Sequence, residues 1–175
     1  MALWLLALAT GVRLPRRLVY VVDRRAVVDQ ATAFAETIRT NLAGLPEVRG
    51  ALGLAEQELP ISTLRGQFAD NRAWLEDPSV PCIVVGTVDM VGSRLLFGGY
   101  GVSRKMRSYH AGLLGVDALL VLDEAHLVPP FEAMLRSLEQ GVDGLASVSA
   151  PAPGFRLLSL SATGREQTGE AFTLN

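Results

Sequence analysis

Five apolar residues, Ala118–Leu122, stand between Asp117 and Asp123. That length suits a strand buried on both faces of a sheet. Such a strand cannot stand alone, because each flank needs a partner and each face a covering layer. Where it leaves the sheet come two adjacent carboxylates, Asp123 and Glu124, then Ala125 and His126. In an open parallel sheet, ligands bind at the carboxyl edge of the strands. The stretch therefore predicts both a fold class and the place to look for chemistry.

The partners are legible. Residues 18–22 (Leu-Val-Tyr-Val-Val), 82–85 (Cys-Ile-Val-Val) and 156–160 (Arg-Leu-Leu-Ser-Leu) read as further strands, and 59–64 as a short one that Pro60 starts or sets near an edge. Between the first two, Val27, Val28, Ala31, Phe34, Ala35, Ile38 and Leu42 recur at helical spacing over residues 24–42. Residues 69–76 predict a short helix broken by Pro78, residues 131–138 a helix after Pro129 and Pro130, and residues 141–154 a loop. Residues 171–174 predict a last strand or a stub. Strands alternating with helices give an α/β class, with a mainly parallel sheet and helices on both faces. The strand ends carry the polar information: Asp23-Arg24-Arg25, Arg65-Gly66, Gly86-Thr87-Val88-Asp89, Asp123–His126 and Ser161-Ala162-Thr163.

At 175 residues the chain is one domain by length, and 49% hydrophobic content argues against disorder. A net charge of −2 provides no global attraction for nucleic acid, so any binding rests on a local patch. One cysteine, Cys82, and two histidines, His110 and His126, exclude a disulfide framework and a cysteine or histidine metal cluster. This composition suits a reducing, cytoplasmic setting. Residues 1–10 have the look of a signal-peptide core, but Arg13, Arg16 and Arg17 follow it rather than precede it. It is also too short to span a bilayer, and reads as a buried helix.

Taken in order, the strand-end clusters resemble the first RecA-like domain of a superfamily-two helicase, a P-loop NTPase fold. Asp123-Glu124-Ala125-His126 resembles the DEAH form of the Walker-B motif. Ser161-Ala162-Thr163 resembles the SAT motif, and Gly86-Thr87-Val88-Asp89 a Gly-Thr-x-Asp motif that faces DNA. The run of residues 85–96, followed by Ala111-Gly-Leu-Leu-Gly115, is most similar to the CRISPR-associated helicase–nuclease of type I systems, in its I-G (formerly I-U) variant.

That resemblance implies ATP and Mg²⁺ as cofactors, with single-stranded DNA and an RNA-guided surveillance complex as partners in antiviral defence. It also implies roles for individual residues. Asp123 would hold Mg²⁺, Glu124 would position or activate the attacking water, and His126 would link the ATP site to Ser161 and Thr163. Arg24, Arg25, Arg65, Gly86 and Thr87 would face the strand.

Residues 94–107 are a second candidate interface on their own composition. Arg94, Arg104, Lys105 and Arg107 occur there without an acid, among Phe97 and Tyr100, with Gly98, Gly99 and Gly101 loosening the segment. Cations and stacking rings suit sequence-tolerant single-strand binding.

The departures from the family are as specific. A phosphate-cradling loop needs G-x-x-x-x-G-K-[ST], and the only lysine, Lys105, lies in no such setting. The second RecA-like domain and the HD nuclease signature are also absent. The chain therefore reads as a single partial RecA-like domain over residues 1–175, lacking the P-loop strand and poorly active or inactive alone. A DEAH-type RNA or repair helicase, or a non-catalytic nucleic-acid-binding module that retains the fold, are the alternative expectations.

Overall fold

A computed structural model describes residues 1–65, 68–69, 72–145 and 154–162, with backbone alone for 68–69 and 142–145. Its strands are β1 (Arg17–Val22), β2 (Ile61–Arg65), β3 (Phe68–Ala69), β4 (Cys82–Thr87), β5 (Ala118–Leu122) and β6 (Arg156–Ser159). They form one sheet in the order β3-β2-β4-β1-β5-β6. β2, β4, β1, β5 and β6 are mutually parallel, and only the short β3 runs antiparallel, against β2. The predicted parallel α/β class is present, and β5 has the predicted bounds.

The helices are α1 (Ala2–Ala9), α2 (Arg25–Ala43), α3 (Pro46–Ala51), α4 (Val88–Leu95), α5 (Arg104–Gly115) and α6 (Pro129–Leu145). They divide between the two faces. Val28, Ala35 and Leu42 of α2 join Trp4, Leu5 and Leu52 over Leu18, Ile83 and Val121 on one side. Val91 and Leu95 of α4, Leu113 and Leu114 of α5 and Leu135 of α6 pack over Val19, Val84 and Leu120 on the other. Alternate residues of each strand feed opposite cores, as a twofold side-chain period demands.

Several expectations are corrected. Phe34 is 55% exposed, because the buried stripe of α2 narrows to the seven-residue spacing of Val28, Ala35 and Leu42. Helix α1 is only half buried: Trp4 and Leu5 face the core while Leu3 is 83% exposed. Residues 69–76 supply a single 3-10 turn, Ala73–Leu75, rather than a helix. Residues 141–145 belong to α6 and not to a loop. Two prolines at its start are tolerated, since the first turn needs no N–H partners. The segment 94–107 is not one loose basic stretch but the end of α4, a loop and the first turn of α5. Residues 171–174 lie outside the described residues. No described helix is long and apolar enough to cross a membrane.

Acids at the two sheet edges have different tasks. Asp117, at the amino edge, is buried; it accepts the Arg16 backbone N–H at 3.0 Å and pairs with Arg16 Nε at 2.6 Å. That is a structural clamp between the strand starts of β1 and β5.

Under α5, His110 meets Trp74 edge-on, with ring centroids 5.0 Å apart. Burial first, then the Arg94 and Arg72 charges, push its pKa below the ordinary 6.5. The unfolded chain therefore takes up this proton more readily than the folded one. The sign follows: stability is full above pH 6.5 and falls as pH drops through the folded-state pKa. Urea unfolding on either side of pH 6.5 is expected to show this loss, and His110→Gln to flatten it. An identical slope in that variant would assign the loss to another group.

Candidate functional site

The parallel strands carry their polar ends to one edge. Along it the order is Arg65 (β2), Gly86-Thr87 (β4), Asp23-Arg24-Arg25 (after β1), Asp123–His126 (after β5) and Ser161 (after β6). Neighbouring strands lie about 4.8 Å apart. Asp123 is thus one strand from Arg24 and one from Ser161. Arg65 lies three strands away, roughly 14 Å by that spacing.

The backbone of Asp123 is tied to β1, its N–H donating to the Val21 carbonyl at 2.9 Å. Both of its carboxylate oxygens are engaged. Oδ2 accepts from the Tyr20 hydroxyl at 2.7 Å, and Oδ1 from the Glu124 N–H at 3.0 Å. Glu124 sits at φ 51°, ψ 43°, left-handed space that a non-glycine residue enters at a cost. Ala125 holds it there: it is buried, and its N–H donates to the Leu160 carbonyl of the next strand at 2.9 Å. The turn leaves the Glu124 side chain half exposed beside His126.

His126 joins two strand ends. Its Nδ1 lies 3.2 Å from Glu124 Oε2 and 3.2 Å from the Ser161 hydroxyl. A bare Nδ1 would face the carboxylate lone pair to lone pair, so Glu124 favours the tautomer protonated at Nδ1. The expected link from His126 toward Ser161 is present as geometry, whereas Thr163 lies outside the described residues. Asp23, Arg24, Asp123, Glu124 and His126 line a common cleft of about 430 Å³.

Tyr20 is not legible in the sequence as a site residue. It looks like one more apolar member of β1, and only its register opposite Val121 brings the hydroxyl to Asp123. Burial first, then Asp123, hold its phenol well above the usual range, so the hydroxyl stays a donor at neutral pH. Tyr20→Phe leaves one Asp123 oxygen short of a donor. A loss of about 1.5–3 kcal/mol in urea unfolding is expected, the scale for a hydrogen bond to a charged group. An unchanged midpoint would mean that water replaces the phenol without loss.

The residues expected to face nucleic acid separate into groups. Arg24 and Arg25 are exposed at the edge, while Arg65 pairs with Asp29. Gly86 is buried within β4, and its missing Cβ is a packing requirement. A Cβ there would meet Val91 Cγ2 at 2.9 Å and Leu64 Cβ at 3.0 Å. Thr87 is also buried, at 7% exposure, where β4 turns into α4. Arg94, expected on an open basic segment, is 3% exposed inside α4. Arg104 and Lys105 are exposed and Arg107 half-buried on the first turn of α5. Phe97 and Tyr100, each 61% exposed, stand out from the loop between these helices.

No protein-family model, no curated protein and no solved structure matches this chain.

Proposed function

We propose that this chain is the ATPase-core part of a superfamily-two DNA helicase. In this reading it is a partial RecA-like domain most like that of the CRISPR-associated helicase–nuclease. The observation that supports this best is the His126 bridge. One imidazole nitrogen contacts both the second carboxylate of the Asp-Glu pair and the serine ending the adjacent strand. Such a bridge suits a device that senses nucleotide at β5 and reports it through β6.

The donor set bears on Mg²⁺ and ATP in two ways. Asp123 and Glu124 offer hard oxygen ligands in a cleft, and each oxygen of Asp123 keeps a lone pair beyond its hydrogen bond. Mg²⁺ bound by one or two carboxylates keeps several waters, so these residues fit it without a full protein cage. No group of three or more His, Cys, Asp or Glu among the described residues is arranged to hold a metal. When bound, Mg²⁺ with ATP supplies an activated phosphoanhydride. Asp123 would hold the ion, and Glu124 would orient or deprotonate the water. A cradle for the phosphates is another matter, because Lys105 lies on α5 and does not line this cleft. That observation favours, as a second reading, a module that binds nucleic acid without turnover.

Both readings place single-stranded DNA along the edge from Arg25 toward Arg65. Binding of a labelled oligothymidylate is expected to weaken as salt rises. Arg24→Ala with Arg25→Ala is expected to reduce affinity and to flatten the salt slope by about 0.7 for each phosphate no longer neutralised. Binding that ignores salt, or that the double variant leaves intact, would remove the strand from this edge. A surveillance-complex partner belongs to the first reading alone.

A further inference from the structure

A second cleft, of about 620 Å³, opens between the 3-10 turn at Ala73–Leu75 and helices α4 and α5. It shares no lining residue with the carboxylate cleft. Its volume lies within the range of small-molecule sites.

An anomaly lies in its wall. Arg94 is 3% exposed, and a guanidinium remains charged under all ordinary conditions. Buried charges are normally paired, since desolvation is otherwise uncompensated. Among the described residues Arg94 has no acidic partner. Its bonds run from Nη1 to the Met90 carbonyl at 2.9 Å and the Met90 sulfur at 3.9 Å, both on its own helix. Its Nε is buried and meets no acceptor. Beside it in the same wall, His110 is 8% exposed, and its Nδ1 likewise has no partner among the described residues.

The charges of the lining are unbalanced in the same sense. Among the described residues, Arg72 and Arg94 contribute two cations, against one carboxylate, that of Glu76. The mouth is aromatic: Tyr100 is 61% exposed, and Tyr109 is 39% exposed and anchored by its hydroxyl to the Leu75 carbonyl at 2.9 Å.

We propose that this cleft binds a phosphate monoester carrying a flat ring, with the phosphate against Arg94 and His110 and the ring against Tyr100. A phosphate monoester brings a charge of about −1.5 to −2, enough to answer both arginines. A guanidinium presents its donors as a planar fork that matches phosphate oxygens. An exposed tyrosine offers a stacking face to any nucleobase. A free nucleotide and the phosphorylated end of a strand share this chemistry. Binding here is independent of the helicase reading.

Calorimetric titration of the full chain with thymidine monophosphate, thymidine and inorganic phosphate tests it. Saturable binding of thymidine monophosphate is expected, at least tenfold tighter than thymidine. Arg94→Gln is expected to erase that difference, with thermal unfolding confirming that the variant is folded. If Arg94→Gln does not fold, Tyr100→Ala carries the test from an exposed position. It is expected to weaken thymidine monophosphate several-fold and leave inorganic phosphate unchanged.

Oligothymidylates with a 5′-phosphate or a 5′-hydroxyl separate the two sources. Tighter binding of the 5′-phosphorylated strand than of its 5′-hydroxyl counterpart identifies a strand end, and equal binding of the two strands a free nucleotide. Absence of saturable binding by thymidine monophosphate, equal affinity for thymidine, or indifference to both substitutions would overturn the proposal.

Discussion

Glu124→Gln is expected to cut ATP hydrolysis by roughly a hundredfold to ten-thousandfold, the range of a lost general base, while leaving nucleotide binding in place. On the proposed helicase reading, the test uses a protein in which this chain is joined to a phosphate-binding loop and a further RecA-like domain. The present chain alone is expected to turn over poorly or not at all. The surroundings of the two acids set them apart. Asp123 has both oxygens engaged, by Tyr20 and by the Glu124 N–H, and so is held in one orientation. Among the described residues the Glu124 carboxylate pairs with His126 alone, and it is half exposed in the cleft. Of the two, Glu124 is placed to meet a water. Glutamine keeps the length and an acceptor for the His126 N–H but is no base. Binding and turnover should therefore separate. Unchanged turnover would reduce Glu124 to a turn residue, and a parallel loss of binding would make it a ligand rather than a base.

Trp74→Ala is expected to cost about 3–5 kcal/mol of stability, the scale for deleting a large buried ring. Measured by heat, that is a fall in Tm of about 6–20 °C for a domain of this size. Trp74 is 2% exposed and packs among Leu64, Leu113 and Leu114 as well as against the His110 ring. Its backbone N–H donates to the Ser62 hydroxyl at 3.2 Å, which pins the 3-10 turn to β2. Because Trp74 also walls the second cleft, the variant should lose ligand binding along with stability. A Tm within a degree or two of the parent would mean that the turn and α5 collapse to fill the space.

Among the described residues β6 pairs only with β5, and Leu158 stands 48% exposed on it. An unpaired, apolar edge strand is a template for association with another chain.

The strands are legible in the sequence because their apolar, β-branched runs are short and sharply bounded. Ala118–Leu122 between two aspartates is the clearest, and it appears with those bounds. The strand order is not legible, and the site depends on it. β1 and β5 are neighbours although some ninety-five residues separate them, a pairing that leaves no local signature. Helix α4 escapes a pattern reading because Gly92 and the strand-like Val88 mask its amphipathic pattern. Arg94 reads as surface because charge normally stays in water. Gly86 reads as a ligand-facing glycine, whereas the close approach it permits is to Val91 and Leu64.

By itself the sequence determined the α/β class, the polar strand ends and the Asp123-Glu124-Ala125-His126 cluster. These follow from side-chain period and run length, which are local properties. Tertiary structure alone decided that Tyr20 holds Asp123, that His126 spans Glu124 and Ser161, and that Arg94 is buried without an acid among the described residues. Each of these depends on which strand lies beside which and on how helices cover them. Those are contacts between residues distant in the chain, and packing selects them, not pattern.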